Sequence, residues 1–539
     1  MTQSPPSPSS STSWRILDHT LDLGDARQVA RLTLAYLALH LLLWTLLPTL
    51  SHRAPPWDNI EQLVWTQSLE WGYYKHPPAP TWWMYFWTEL LGRNVGVTFF
   101  AAQLSVVGML YCVWRIALLV TTPVRALVAV VFTSLVAYHG LRGIMANHNT
   151  LQLLPVGLLL WSVLAAVRAV GRRRWLLWAL VGATAALCVL SKYSAGIWFA
   201  AIGLWLVLEP RMHRLHAWTP VLLAAAVGLL LLTPHIAWMV NTDFATLRYA
   251  QQSVDGHAPS LSGTAAPPPP SHWMDLWYFT TAQLGRLAPA LLAFAALRWA
   301  LRKAPRVAPN LPPHTARERR FVGFMTLGPV AITLLLGVAG VHLASSWATT
   351  FFVLFGVLLL RWTPVIDPVR LLKTTLCIGI SAQVILAGGL ALGRGPLVDQ
   401  LGRSARSNFP APAMARQLEV VWQAHGHTAL RVVAGDTWLS GNISIHLPTQ
   451  PLVWIDADLT HAPWINKATL ARCDTLVLID RGPEAPTPGP LTLQLMEKAA
   501  ARGTVAVPWT SRRDGPVLTV EWGVVRAEEA GCPARRSQP

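Results

Sequence analysis

Residues 57–87 read WDNIEQLVWTQSLEWGYYKHPPAPTWWMYFW, and this stretch holds the side chains best spaced for chemistry. Asp58 and Glu61 stand three residues apart and Trp65 four further on, so a helix would carry all three on one face. Two carboxylates so placed serve as a base, as ligands of a divalent metal, or as the solvated edge of an amphipathic helix. Ile60, Leu63, Val64, Gln67 and Trp71 recur at near-helical spacing, the pattern of a helix lying in a membrane interface. Lys75-His76-Pro77-Pro78 follows. A cation and an imidazole there either close a rigid turn into the next helix or hold a phosphate, helped by free backbone N–H groups.

The elements that must position these residues are membrane helices. Of 539 residues, 53% are hydrophobic and 13% charged, and mean hydropathy is +0.38. A soluble domain carries about a quarter of its residues as charged ones. The apolar residues fall in runs near the roughly 20 residues that cross a hydrocarbon core. Twenty-seven tryptophans fit a chain with many bilayer–water boundaries. Eleven spans are expected near 29–50, 94–119, 124–143, 150–168, 175–191, 193–208, 217–239, 275–298, 321–341, 347–362 and 371–393. Residues 1–28 read as a disordered cytoplasmic N-terminus, without the pattern of a cleavable signal peptide.

The net charge of +17 describes topology rather than a nucleic-acid surface, because Lys and Arg gather in short loops such as Arg172-Arg173-Arg174 and no basic stripe carries interleaved aromatics. With the N-terminus in the cytoplasm, the cytoplasmic loops hold about twenty Lys/Arg and the opposite loops about six. Residues 51–93 and 241–274 are then long non-cytoplasmic segments, the second a mobile loop carrying Pro267 to Pro270. Residues 29–400 form the transmembrane domain and 401–539 a periplasmic tail. In that tail a helical stretch at 414–425 precedes short apolar strands at 430–435, 451–456, 475–480 and 504–509. With further helices between, as at 491–502, the alternation indicates a small α/β domain on a mainly parallel sheet. Cys473 and Cys532 lie there and either pair in a disulfide or remain free thiols.

Further polar residues stand at the span ends. Lys192, at the tight Ser191-Lys192 junction, either snorkels to the interface or meets an anionic ligand, and Arg248 in the second long loop has the same two roles open. Arg286 lies inside the eighth span, where a charge is a functional candidate that also pairs readily within a bundle. His342 and Trp347, at the mouth of the tenth span, line a ligand pocket or anchor the interface.

The run Asp58, Glu61, Trp71-Gly72-Tyr73-Tyr74-Lys75-His76-Pro77-Pro78 resembles the first non-cytoplasmic loop of bacterial transferases related to protein O-mannosyltransferases and the lipid A aminoarabinose transferase. These belong to the GT-C fold class. LCVLSKYSA at 187–195, Pro234-His235-Ile236-Ala237-Trp238 with Asn241, GDTWLSGNISIHL at 435–447 and Ala462-Pro463-Trp464-Ile465 resemble later segments of the same family. The resemblance implies an inverting transfer of a sugar from a polyprenyl-phosphate carrier to an envelope acceptor (lipid A or lipopolysaccharide, another glycan, or protein) at the periplasmic face of the inner membrane. Asp58 falls on the family's catalytic aspartate, as a base or as the residue that orients an acceptor phosphate. His76 falls on the basic residue that contacts the carrier phosphate.

Three departures accompany the likeness. Asn59 stands where many relatives have a second acid, a role Glu61 could take over. Lys75 stands where many have an acid, which weakens the case for a divalent metal on Asp58 and Glu61. Asn147-His148-Asn149 stands where relatives carry Pro-Asp, so Asn147 and Asn149 are pocket candidates, with capping of the fourth span the alternative for Asn149.

Two other functions compete with this expectation. A transporter would show inverted repeats and broken midplane helices, and the sequence has no convincing repeat. A catalytically inactive relative that binds lipid carriers would keep the fold, and the intact Asp58 speaks against it. The expected topology is checked by reporter fusions: one after Arg403 should read as periplasmic and one within 302–320 as cytoplasmic. A cytoplasmic tail would remove both the span count and the location of the site.

Overall fold

The computed structural model describes residues 13–16, 19–254, 271–307, 316–482 and 485–532. Among these, seven stretches are long and apolar enough to cross a membrane: 26–51, 95–117, 148–168, 171–191, 215–241, 317–338 and 368–400. Expected spans three and six are the shorter apolar helices Pro123–Ser134 and Ala195–Leu208. The eighth is His272–Ala300, a helix of 29 residues that buries Asp275 and Gln283 and so is less apolar than its length suggests.

The tenth expected span, 347–362, is not one helix. It is the 3₁₀ turn Ser345–Thr350, further turns and the short helix Phe355–Leu359. Irregular backbone is tolerated at membrane depth only where protein covers it. Here Gly356 packs directly on the backbone of Ala129, and its N–H donates to Thr133 Oγ1 at 3.1 Å.

Two expectations for the N-terminal half need correction. Residues 1–28 do not all lack structure: Ser13–Ile16 pairs antiparallel with His19–Asp22, and the first span begins at Ala26, capped by Asp25. Residues 1–12 lie outside the described residues, as do Pro267 to Pro270 of the expected mobile loop. The described part of that loop contains the helix Ala245–Val254.

The C-terminal domain carries a five-stranded sheet in the order Leu452–Ile455, Val432–Gly435, Thr475–Asp480, Val517–Val525, Ala501–Pro508. The first three strands are parallel and the last two pairings antiparallel, so the sheet is mixed rather than mainly parallel. Strand Val517–Val525 follows Ala501–Pro508 after a short turn, far too short for the crossover that parallel pairing needs. The helix expected at 491–502 ends at Glu497, because the chain from Ala501 joins that hairpin. Cys473 and Cys532 form a disulfide that ties the end of the described chain to the sheet.

The helix Trp57–Trp65 is not a bilayer-facing interfacial helix. Every side chain from Asn59 to Gln67 is buried, and one hydrophobic core joins Ile60, Leu63, Val64 and Trp65 to Leu439, Ile443 and Val453 of the C-terminal domain. Trp57 stacks on Trp438 at 5.6 Å, and Gln67 accepts from Val453 N at 2.9 Å. The amphipathic pattern therefore marks a protein–protein contact within the chain.

The closest approach in that contact is at Gly441, where a Cβ would collide with Ile60 and come within 2.8 Å of Val64 Cγ2. Gly441→Val should cost about 1–3 kcal/mol by overpacking and shift the helix that carries Asp58 and Glu61. Adding Ile60→Ala should recover part of the loss in thermal unfolding and in turnover. Absence of any recovery would mean that this contact does not position the helix.

Candidate active site

Asp58 sits in the first turn of Trp57–Trp65, where the helix dipole favours a carboxylate. Asn147 Nδ2 donates to its Oδ2 at 2.7 Å. The other end of the same amide caps the turn His148–Leu151, accepting from Asn149 N at 3.1 Å and Thr150 N at 3.0 Å. Capping and contact with Asp58 are thus one arrangement. The neighbouring Asn59 is buried and holds it in place: Nδ2 donates to Thr98 Oγ1 at 2.9 Å and Ile144 O at 3.1 Å, and Oδ1 accepts from Ala146 N at 2.7 Å. Where many relatives would have a second acid, this chain has a clamp.

One turn on, Glu61 meets Lys75 at 2.6 Å. Burial pushes the Glu61 carboxyl up, opposed by the Lys75 charge. For Lys75, burial pulls down, but the Glu61 carboxylate overcomes it and holds the ammonium well above its ordinary value. At 2.6 Å the ion pair is the form that satisfies both groups. Lys75 Nζ also lies 5.1 Å from the Tyr74 ring centre, within cation–π reach.

Residues 73–76 form a tight turn, with Tyr73 and His76 exchanging two backbone hydrogen bonds of 3.0 Å. The turn places His76 against His148, ring centres 3.3 Å apart, with Trp65 and the edge of Tyr249 beside it. Burial first, and then the nearby His148, Lys192 and Lys75 charges, hold His76 well below the usual imidazole range. It is neutral at pH 7 and keeps one N–H to donate.

Lys192 donates to Asn149 Oδ1, and its carbonyl accepts from Gln152 Nε2 at 3.0 Å. Burial lowers the Lys192 ammonium to about 8, with the attraction of Asp58 opposing. A cavity of about 710 Å³ opens beside this cluster, between the first loop, the helix Ala245–Val254 and residues 459–463. Tyr74, Lys75, Trp238, Arg248 and Tyr249 line it, and His461 closes it by stacking on Tyr74 at 4.1 Å.

The structure therefore gathers Asp58, Glu61, Lys75, His76, Asn147, Asn149 and Lys192. Arg248 borders the cavity but is ion-paired with Asp243. Arg286 lies over Tyr138, 5.8 Å from the ring centre, with its Nε buried and without a partner. Beside it is Arg142, which is also within electrostatic reach of Asp58. His342 is committed to Asp275 at 2.7 Å, and Trp347 packs, partly buried, against the hydrophobic core of the helix bundle. Asn59, Tyr74, Arg142, His148, Tyr249 and His461 belong to the site although no spacing pointed to them.

The donor set fits a metal poorly. Lys75 occupies the place beside Glu61 that a cation would take. Among the described residues no three carboxylates, imidazoles or thiols converge to hold one.

A membrane helix bundle with its polar site under a C-terminal α/β domain is the arrangement of the GT-C fold. Comparison with known proteins bears this out. The family model of dolichyl-phosphate-mannose-protein mannosyltransferases matches residues 75–238. The chain is 26% identical to the lipid A galacturonosyltransferase RgtD of Rhizobium johnstonii, over 57% of this chain and 59% of that protein. To the lipopolysaccharide core galacturonosyltransferase RgtA of the same organism it is 23% identical, over 92% of this chain and 96% of the relative. Its fold matches the crystal structure of ArnT from Cupriavidus metallidurans bound to undecaprenyl phosphate with a TM-score of 0.56 at 14% identity. That match covers 94% of this chain and all of the other. Along most of its length the chain is similar to GT-C membrane glycosyltransferases.

Asn59→Ala tests the clamp. It leaves Ala146 N–H and the Ile144 carbonyl without their buried partner, so unfolding stability should drop by about 1–3 kcal/mol. Turnover per folded molecule should drop as well, through loss of the Asn147–Asp58 geometry. Unchanged turnover would show that Asn147 holds Asp58 without Asn59.

Proposed function

We propose that this protein is an inverting glycosyltransferase of the inner membrane that moves a uronic acid from a polyprenyl-phosphate carrier to lipid A or a lipopolysaccharide core at the periplasmic face. The observation that carries the reading is Asp58, accessible and fixed by Asn147, one helical turn from the Glu61–Lys75 pair that borders the cavity. Asn147 and Lys192 lie at ends of apolar helices, which supports a cluster at the depth where a membrane-anchored carrier would hold its phosphate. The galacturonosyltransferase relatives support the sugar class, as does the surplus of cations. Lys192, Arg142 and Arg286 outnumber Asp58, and two anions, a carrier phosphate and a sugar carboxylate, would balance them.

In this reading an acceptor oxygen attacks the anomeric carbon from the face opposite the phosphate. The new C–O bond forms as the bond to the phosphate oxygen breaks, and the carrier phosphate leaves with the electron pair. Asp58 takes the proton of an acceptor hydroxyl; an acceptor phosphate brings no proton and is only oriented. Lys75, Lys192 and the His76 N–H stabilise the charge growing on the leaving phosphate, which is stronger in the transition state than in the bound donor. Lys75 supplies the cation beside Glu61, so chelators should leave turnover unchanged.

Purified protein given polyprenyl-phosphate-linked galacturonate, aminoarabinose or a neutral hexose, with lipid A as acceptor, should release carrier mainly from the galacturonate donor. Asp58→Asn should lower that release about 10²–10⁴-fold while donor binding persists. Arg142→Gln should raise KM for the uronate more than for a neutral sugar. Carrier release from none of the donors, with binding intact, would favour a carrier-binding protein without catalysis.

Lys192 gives a pH test. Its ammonium is protonated below about 8, so donor affinity should weaken as pH rises through that value, with the break moved upward once the anion is bound. Lys192→Arg should remove the break, because a guanidinium stays charged. A break that persists in the variant would assign the titration to another group.

A further inference from the structure

The helix Gly171–Ser191 runs away from the site: its last residue adjoins Lys192, and its 21 residues put its start about 30 Å away, at the other membrane face. A second cavity opens there, of about 460 Å³, between that helix start and residues 210–217. Its polar side chains are Arg174, Arg214, His216 and Trp178, donors without a carboxylate among them. Arg174 spends one N–H on Ala217 O at 2.9 Å. Among the described residues Arg214 has no acidic partner, and the indole N–H of Trp178 is buried without any partner. The acids on neighbouring elements are already used, Glu209 by Arg317 and Glu318 by Arg168. No side chain caps the N-terminus of Gly171–Ser191, so its first backbone N–H groups are further donors toward the same space. Around this positive pocket stand bare apolar side chains, Val170 at 81% and Leu215 at 88% exposure.

We infer that this cavity is a binding site for the phosphodiester headgroup of an anionic phospholipid in the leaflet opposite the catalytic one. The donors call for an oxyanion, the volume suits a headgroup rather than a lone ion, and the apolar rim continues into the space that acyl chains fill. A positive surface that only sets topology needs neither a recess of this volume nor a buried, unpartnered N–H.

The test uses the full chain in phosphatidylcholine nanodiscs with or without phosphatidylglycerol, scoring lipid retained in native mass spectra and the thermal midpoint. Wild type should retain phosphatidylglycerol preferentially and melt higher with it. Arg214→Gln should cut the preference about fivefold, and Arg174→Gln with Arg214→Gln should cut it by about the square of that. Arg172→Gln and Arg173→Gln, outside the cavity lining, should leave it intact. Arg214 has no side-chain partner to lose, so its variant should melt normally in phosphatidylcholine. Equal retention of both lipids, or equal losses from Arg172 and Arg173, would overturn the site in favour of a diffuse positive surface. Stabilisation by inorganic phosphate matching that by phosphatidylglycerol would overturn the lipid assignment. The site does not depend on catalysis: failure here would leave carrier release untouched, and failure of carrier release would leave lipid retention untouched.

Discussion

Taking a carboxylate and an ammonium out of water costs several kcal/mol per ion, and Glu61 and Lys75 recover it only by meeting at 2.6 Å. That requirement governs the rest of the site. Glu61 belongs to a short helix and Lys75 to a turn fourteen residues later, so the pair fixes the turn against the helix. His76 follows Lys75 directly and can reach His148 only from that position. Removing either charge would strand the other in a buried setting, which is why the two behave as one structural unit even though one of them faces the cavity.

The pair also sets the electrostatics. With Glu61 neutralised, Asp58 is the carboxylate left facing Lys192 and Arg142. A neutral amide at Asn59 and another at Asn147 hold it by hydrogen bonds instead of adding negative charge. The cluster is therefore cationic before any donor arrives, and its imidazole stays neutral because a further positive charge there would be repelled. Such a site attracts anions at long range and pays little reorganisation when one binds.

Much of this was legible in the residues themselves. Membrane helices follow from apolar runs, and Asp58, Glu61, Lys75 and His76 fall within nineteen residues, so local spacing could associate them. What escaped came from contacts across the chain. His148 and Asn59 read as ordinary polar residues until His148 meets His76 and Asn59 reaches Ala146, 87 positions away. The periodicity of Ile60, Leu63 and Val64 was visible, but not whether lipid or protein would cover it, since both are apolar. The antiparallel hairpin at the sheet edge escaped because Val517–Val525 was not expected as a strand, and without it Ala501–Pro508 reads as one more parallel strand.

That ambiguity over what covers the first loop bears on how the protein works. A helix resting on lipid would drift with the bilayer, whereas Trp57–Trp65 is packed into the core of a folded domain through Gly441, Trp438 and Val453. The same domain sends His461 over Tyr74 at the edge of the cavity. One packed unit therefore both holds the carboxylates and forms a wall of the cavity. Any movement of the C-terminal domain that widened the cavity would also pull on the helix carrying Asp58. Access to the cavity and the placement of Asp58 are thus coupled by packing, and the glycine at the contact, which admits no side chain, keeps that coupling tight.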